Sequence, residues 1–384
     1  MTRSRPRLLL LAMLLALWPS PGWTHDASAW GGLFRSRDYG LTWFQANQGR
    51  PVGGALAIAV DPLDSTHLLL GTDAGLLASR NGGLDWEQQA PNTLIGPILA
   101  VAFDPAGVRV LAATEHALFR TDDGLYWQPS PTPAGVTPVR AIVPDGHAGH
   151  AYLLGWQRIL RTYDWGASWD AVGADMPDAP VTALVVAGGE LFAVVAGEVW
   201  ASSDDGSSWQ PRQIGLPAGS VQTLGTSADH NSTLWAAGAD QVFRSTDLGL
   251  SWSPVGKRPA DTDTEIRALA ADAAGSELVL STHRGLYASQ DGGGTWNLLA
   301  DNLPGHLEAG PLIYDPKQPG MVYAGFSLLP YGEQWARAAD GRSAGSQLSL
   351  TELTGAAAFL ALLALAAGWT LRWLARTRTE PVQA

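Results

Sequence analysis

Four acidic residues, Asp73, Glu115, Glu198 and Asp240, each stand in a short polar break between two apolar runs. Two carboxylates held a fixed distance apart are what hydrolysis of a glycosidic bond needs, one as acid and one as base or nucleophile. Carboxylates on exposed turns are more commonly just solvated, so a catalytic pair here requires two of them to face each other. The same breaks carry other chemically able residues: His116 beside Glu115, Trp156 and Arg158 together, and the pair His283 and Arg284. An aromatic side chain on a turn suits contact with a partner; the alternative is that Trp156 folds back against its neighbour. A further segment, Asp145-Gly146-His147-Ala148-Gly149-His150, has residue types that bind metals. Additional ligands of suitable spacing are not evident, so the segment is expected to be a solvated loop. No metal and no cofactor is expected.

These residues recur at intervals because the chain itself recurs. The pattern Ser/Thr-x-Asp-x-Gly-x-Ser/Thr-Trp occupies residues 36–43, 162–169, 202–209, 245–252 and 289–296, with weaker copies at 79–86 and 121–127. The closing tryptophans are Trp43, Trp86, Trp127, Trp169, Trp209, Trp252 and Trp296, spaced by 40–44 residues. A period near forty marks a repeat architecture. Each period holds four short apolar or half-polar runs separated by Gly, Pro and Asp, which predicts an all-β meander. The pattern lies between the third and fourth runs, so it must turn a hairpin. Its acidic or amide position (Asp38, Asn81, Asp122, Asp164, Asp204, Asp247, Asp291) is suited to accept backbone N–H bonds, and its Gly to adopt a left-handed φ. The tryptophan is large enough to fill the space between units. Seven copies argue for a structural part rather than seven active sites.

Counting strands predicts closure. Ahead of the first complete unit the chain supplies only a third and a fourth strand; behind the last it supplies only a first and a second. Six whole units and two complementary halves make a seven-bladed β-propeller closed by N- and C-terminal strands, which leaves no open sheet edge. Turns between second and third strands then share one face, away from the repeated pattern. That face, with Asp73, Glu115, His116, Trp156, Arg158, Glu198, Asp240, His283 and Arg284, is the candidate binding face, since varied loops on a rigid scaffold carry function.

The repeated pattern resembles that of the Asp-box, or bacterial-neuraminidase-repeat, propellers. The short blades, with Gly-Leu before several boxes (Gly32-Leu33, Gly75-Leu76, Gly285-Leu286), look most like the photosystem II stability/assembly factor group. The resemblance implies the fold and leaves function open, because the wider group includes sialidases, xyloglucan-cleaving glycosidases and receptors. Sialidases would be expected to show an Arg-Ile-Pro signature before the first box. Here that stretch reads Trp30-Gly31-Gly32-Leu33-Phe34-Arg35, and Arg140, Arg158, Arg267 and Arg284 are not shown to converge.

Composition narrows the partners. A net charge of −12 without a basic stripe argues against nucleic acid. With no cysteine, neither disulfides nor thiolate metal sites are available. Arg3, Arg5 and Arg7 before the apolar residues 8–18 read as a secretory signal within residues 1–29. Residues 353–371 are uncharged and flanked by Trp369, Trp373, Arg372, Arg376 and Arg378. They read as one C-terminal transmembrane helix, 351–374, with its basic side inside. The expected organisation is a signal (1–29), a propeller (30–330), a linker (331–350), the helix and a cytoplasmic tail (375–384). The segment 331–341 resembles a degraded third strand and box. The function expected is a non-enzymatic, membrane-anchored scaffold on the outer side of the cell membrane, binding a membrane-associated protein partner and assisting assembly or stability of an envelope complex. The competing expectation is an exported carbohydrate-active protein, for which a glycan is the ligand.

Overall fold

The structure, a computed structural model, describes residues 31–339 apart from 48, 49, 51, 134, 157, 228–231, 239, 240, 257–265 and 300. It contains seven four-stranded antiparallel sheets. Blade I is Ala55–Val60, Leu68–Thr72, Gly75–Ser79 and Glu87–Gln89, and blade II is Ile98–Phe103, Val110–Thr114, Leu118–Thr121 and Trp127–Ser130. Blade III is Ala141–Pro144, Ala151–Leu154, Ile159–Thr162 and Asp170–Val172; blade IV is Val181–Ala187, Glu190–Val195, Glu198–Ser202 and Gln210–Pro211. Blade V is Val221–Thr226, Leu234–Gly238, Val242–Ser245 and Ser253–Val255; blade VI is Ile266–Ala271, Leu278–Thr282, Gly285–Ser289 and Asn297–Leu299.

Blade VII is composite. Its first two strands, Glu308–Tyr314 and Val322–Ser327, come from the end of the propeller, and its outer two, Gly32–Ser36 and Phe44–Gln45, from the start. The junction is a full antiparallel ladder in which Gly32 pairs with Phe326 and Ser36 with Val322. Every first strand packs against the first strand of the next blade, including Glu308–Tyr314 against Ala55–Val60, so the ring is closed. This is the seven-bladed propeller that strand counting predicts.

The sequence pattern explains the layering. Second strands such as Leu68–Thr72, Val110–Thr114 and Leu234–Gly238 are buried along their whole length, as continuous apolar runs should be when another layer lies on each side. Fourth strands such as Glu87–Gln89 and Ser253–Val255 are short, polar and exposed. Core clusters straddle neighbouring blades: one joins Leu33 and Ala46 of blade VII to Val60, Leu68, Leu70 and Trp86 of blade I. Burying a tryptophan of about 200 Å² at about 25 cal/mol per Å² contributes about 5 kcal/mol before entropy is counted. Three of the repeat tryptophans also donate a hydrogen bond to the preceding blade. Trp86 reaches Ala46 O at 2.7 Å, Trp169 reaches Ser130 Oγ at 3.0 Å and Trp252 reaches Arg212 O at 3.0 Å.

The repeated turns share one hydrogen-bond geometry. In residues 36–43, Ser36 Oγ donates to Asp38 Oδ1 at 2.6 Å and accepts from the Gly40 N–H at 2.8 Å. Asp38 then accepts from the Thr42 N–H at 2.8 Å and the Thr42 hydroxyl at 2.6 Å. Tyr39 and Gly40 are both left-handed, with φ of 61° and 91°. In the short copy at 121–127 these bonds fall to Asp123 and not to the expected Asp122. Thr121 Oγ1 donates to Asp123 Oδ1 at 3.0 Å, and the Leu125 and Tyr126 N–H groups reach the same oxygen at 2.8 Å. The position is set by its distance from the leading hydroxyl, two residues in every copy, so the missing residue is lost on the tryptophan side.

Residues Tyr331–Ala339 form a helix, α1, where the sequence suggested a degraded strand and box. The segment is rich in helix formers, carries Glu333 in its first turn and Arg337 in its last, and pairs them at 3.1 Å across one turn. Compact units divide the chain after Tyr331. Among the described residues no helix is long and apolar enough to cross a membrane. The expected signal and the expected span at 351–374 lie outside the described residues.

Candidate binding face

In a four-stranded meander the second-to-third turns point the same way as the connections that enter each first strand. The structure accordingly gathers the described candidate residues at one end of the ring, at the turns of blades I, II, III, IV and VI. Asp73 belongs to blade I, Glu115 and His116 to II, Trp156 and Arg158 to III, Glu198 to IV, and His283 and Arg284 to VI. Asp240, in blade V, lies outside the described residues. Blade VII has no such turn, because its second and third strands are not consecutive in the chain.

Each described turn is held locally. Asp73 is exposed, and its Oδ1 accepts from the Gly54 N–H at 3.3 Å, at the foot of its own blade. Glu115 is buried, with His116 Nε2 3.8 Å from its carboxylate. Trp156 is half-buried beneath Arg140, whose guanidinium carbon sits 4.3 Å from the ring centroid. Arg158 is exposed beside it. Arg284 Nε donates to His283 Nε2 at 3.3 Å. The carboxylates Asp73, Glu115 and Glu198 thus sit on three different blades, the first two within turns and Glu198 at the start of a third strand.

Inside the ring of turns lies a second set of residues that sequence reasoning does not single out as a set. In blades I, II, IV, V, VI and VII the ladder between first and second strands slips near its start. The slip leaves Leu56, Leu99, Thr182, Gln222 and Arg267 as extra residues in blades I, II, IV, V and VI, and Gly310 and Pro311 in blade VII; Arg140 occupies the matching place in blade III. A bulge re-aims the side chain it carries. Here several of these residues bond to the next blade. Arg140 donates to Val181 O at 3.5 Å, Thr182 to Gln222 O at 3.3 Å, and Gln222 Oε1 accepts from the Ile266 N–H at 3.1 Å. Arg267 pairs with Glu308 at 3.1 Å, and Glu308 accepts from the Tyr331 N–H at 2.9 Å. Tyr331 Oη donates to Ala55 O at 2.7 Å, returning the belt to blade I. Burial lowers the Arg140 pKa and raises that of Tyr331, which Arg267 partly offsets. Arg140 and Arg267 thus each make a contact with the neighbouring blade. The only sequence signal for this belt is polarity at the start of an otherwise apolar strand.

The opposite end carries the repeated turns and two cavities. One, of about 330 Å³, lies between blades VII and I and is lined by Arg35, Arg37, Phe44, Gln45, Gly83 and Leu84. The other, of about 280 Å³, lies between blades III and IV and holds Asp145, His147, His150 and Asp205. Neither is lined by a second-to-third turn carboxylate. The carboxyls of the repeated turns sit below the usual range. For Asp204 the hydroxyl and N–H of Ser208 and the hydroxyl of Ser202 bring it to about 2. At Asp38 and Asp164 partial burial pushes upward, and hydrogen bonds from Ser36 and Thr42, or from Ser168 and Thr162, more than offset it.

No family model matches the chain. A probable oligoxyloglucan-reducing end-specific xyloglucanase of Neosartorya fischeri is 25% identical over 203 residues, 49% of this chain and 24% of that protein. The chain thus spans about a quarter of that relative's length. Among solved structures, YCF48 bound to D1 peptide aligns with a TM-score of 0.56 at 21% identity, covering 73% of this chain and 94% of that one. The GH74 xyloglucanase from Xanthomonas campestris aligns with a TM-score of 0.54 at 20% identity, covering 70% and 51% respectively. At these identities the likeness shows a shared propeller fold.

Proposed function

We propose that the chain is a non-enzymatic propeller whose face of second-to-third turns binds a protein partner, and that it serves as an assembly or stability factor for an envelope membrane complex. The observation that carries this is where the turn carboxylates lie. Glycosidase chemistry needs two carboxyl groups facing each other in a cleft at a set spacing, whereas Asp73, Glu115 and Glu198 line neither of the two cavities described. What the face does offer is a rigid ring of short turns with Trp156, Arg158, His283 and Arg284, over a hydrogen-bonded belt that holds their spacing. Aromatic and arginine side chains are those enriched where partners bind tightly. The likeness to YCF48, a structure solved with a peptide bound, extends over nearly all of that chain and supports the same reading. Export by residues 1–29 and anchoring by residues 351–374 belong to the proposal. A tether would keep partners at high local concentration.

A second reading rests on the xyloglucanase relative. In that case the face binds or cleaves a glycan. Crosslinking and pull-down from membranes, with the full-length chain and an Arg158→Ala/Arg284→Ala variant, separates the two. A protein partner captured by the native chain and lost from the variant supports the proposal. No captured protein, together with selective binding on a glycan array, overturns it in favour of the second reading.

A further inference from the structure

The cavity between blades III and IV lies at the end away from the candidate binding face, and its chemistry is independent of partner binding there. Its wall is the connection between the first two strands of blade III. Asp145, His147 and His150 there present ligand atoms that all lie within 4.8 Å of one another. Asp145 Oδ1 is 3.3 Å from His147 Nδ1, and Asp145 Oδ2 is 3.4 Å from His150 Nδ1. Ligand atoms about 2.0–2.2 Å from a tetrahedral cation are about 3.3 Å from each other. Each imidazole therefore stands at about that spacing from one carboxylate oxygen, and all three ligand atoms are close enough for a small side-chain rotation to bring them onto one ion.

The loop holds them there. Asp145 Oδ1 accepts the His147 N–H at 2.8 Å, which orients the carboxylate as an outer-shell bond would. Between the histidines, the Gly149 N–H donates to Asp104 Oδ2 at 3.1 Å, and Gly149 O accepts from the Trp165 N–H at 2.8 Å. Gly149 has a φ of 85°, and an added Cβ would stand 3.0 Å from Tyr163 O, so the tight path suits glycine. The His150 ring packs edge-on against Tyr163 at 4.7 Å, and Tyr163 Oη donates to Asp205 Oδ2 at 3.0 Å. The rest of the cavity wall mixes apolar residues, Val186 and Leu191, with two further acids. Asp205 and Glu190 line it, and Glu190 Oε2 is buried without a hydrogen-bond donor among the described residues, with Arg212 3.7 Å away. Asp145 is mostly shielded while His147 and His150 are reachable from solvent, at 11%, 75% and 33% exposure of their side chains.

We propose that Asp145, His147 and His150 form a binding site for one borderline divalent cation of the zinc class, with its remaining coordination open to the cavity between blades III and IV. Two imidazoles and one carboxylate select zinc, cobalt or nickel over calcium and magnesium, which favour shells made of oxygen. Asp205 adds negative charge at the cavity wall, the Glu190 charge being offset by Arg212, and the cavity leaves room for water or a small ligand to complete the shell.

The test titrates the full-length chain, freed of metal by chelator, with Zn²⁺ alone and with Co²⁺ alone. One ion per chain is expected, with the intense visible absorbance of low-coordinate cobalt, and excess Mg²⁺ or Ca²⁺ should not displace it. His147→Gln removes an exposed side chain and leaves the fold's contacts intact. It should weaken zinc by more than the ~10–100-fold that loss of an outer-shell partner costs. The double variant His147→Gln/His150→Gln should abolish the cobalt spectrum, and zinc should raise the melting temperature of the native chain but not that of the variant. Equal zinc affinity in the native chain and the double variant would overturn the site. So would a native chain that binds no zinc, or one whose zinc is displaced by stoichiometric calcium.

Discussion

Replacing Ser245 by alanine isolates what the repeated turn contributes. The Ser245 hydroxyl donates to Asp247 Oδ1 at 2.7 Å and accepts from the Gly249 N–H at 2.8 Å and the Asp247 N–H at 3.3 Å. The residue is 2% exposed, so no water replaces the missing oxygen from inside. Alanine keeps the Cβ and the packing, and leaves the Gly249 N–H buried without an acceptor. Leaving one buried donor unpaired costs about 1–3 kcal/mol. For a propeller of this size each kcal/mol is about 2 °C, so the expected fall in Tm is about 2–6 °C. Scanning calorimetry on the full-length chain at neutral pH measures it. The control is Ser220→Ala, whose exposed hydroxyl donates only to Pro217 O at 2.8 Å and whose loss should stay within about 0.5 kcal/mol. Ser202→Ala and Ser289→Ala remove the same bond at the same 2.8 Å and should repeat the Ser245 result. A Ser245→Ala chain that melts with the native one, or falls no further than Ser220→Ala, would refute the account of the turn as a buried hydrogen-bond hub.

Acid should loosen the ring through the same turns. Their carboxyls lie below the unfolded value of 3.8, Asp204 at about 2, so their stabilisation is complete above about pH 4 and is withdrawn as pH falls through the folded values. Melts from pH 5 to 2 should show a decline that Asp204→Asn makes shallower; a Tm that does not change over that range contradicts the sign. Tyr331→Phe deletes the buried bond to Ala55 O and should cost about 1–3 kcal/mol, read as a lower denaturant midpoint at unchanged slope. An unchanged midpoint would mean that the belt does not bear on stability. Protease added to spheroplasts should degrade the propeller if it is exported, and a fully protected propeller would remove export and outer-face anchoring from the proposal.

Legibility in the sequence differs between fold and face. Trp43 to Trp296 recur at a period too regular to miss, and the half-units at either end require closure, because unpaired strands would leave open edges. Asp122 and Asp123 offer the same chemistry side by side; the two-residue spacing of the other copies already points to Asp123, and the Thr121 hydroxyl reaches it. The helix at Tyr331 is masked by a local likeness to the box, where Gly and Trp recur in a segment otherwise made of helix formers. At the face, type and position are legible but partnership is not. That Trp156 lies under Arg140, and that Arg267 belongs to Glu308, depends on bulges that shift one residue in an otherwise regular ladder. A histidine spacing of three in a loop gives no distance, so the approach of Asp145, His147 and His150 becomes visible only in space.

The composite blade also sets a clock. Gly32 has no strand to pair with until Phe326 has been made. At about 5–20 residues per second, the intervening chain takes about 15–60 s to emerge from the ribosome. Through that interval the last blade has two of its strands at most, and the inner edge of Gly32–Ser36 waits unpaired. A nascent chain in this condition cannot lock shut early. It stays open until its final strands are available, and then closes with the stretch it made first.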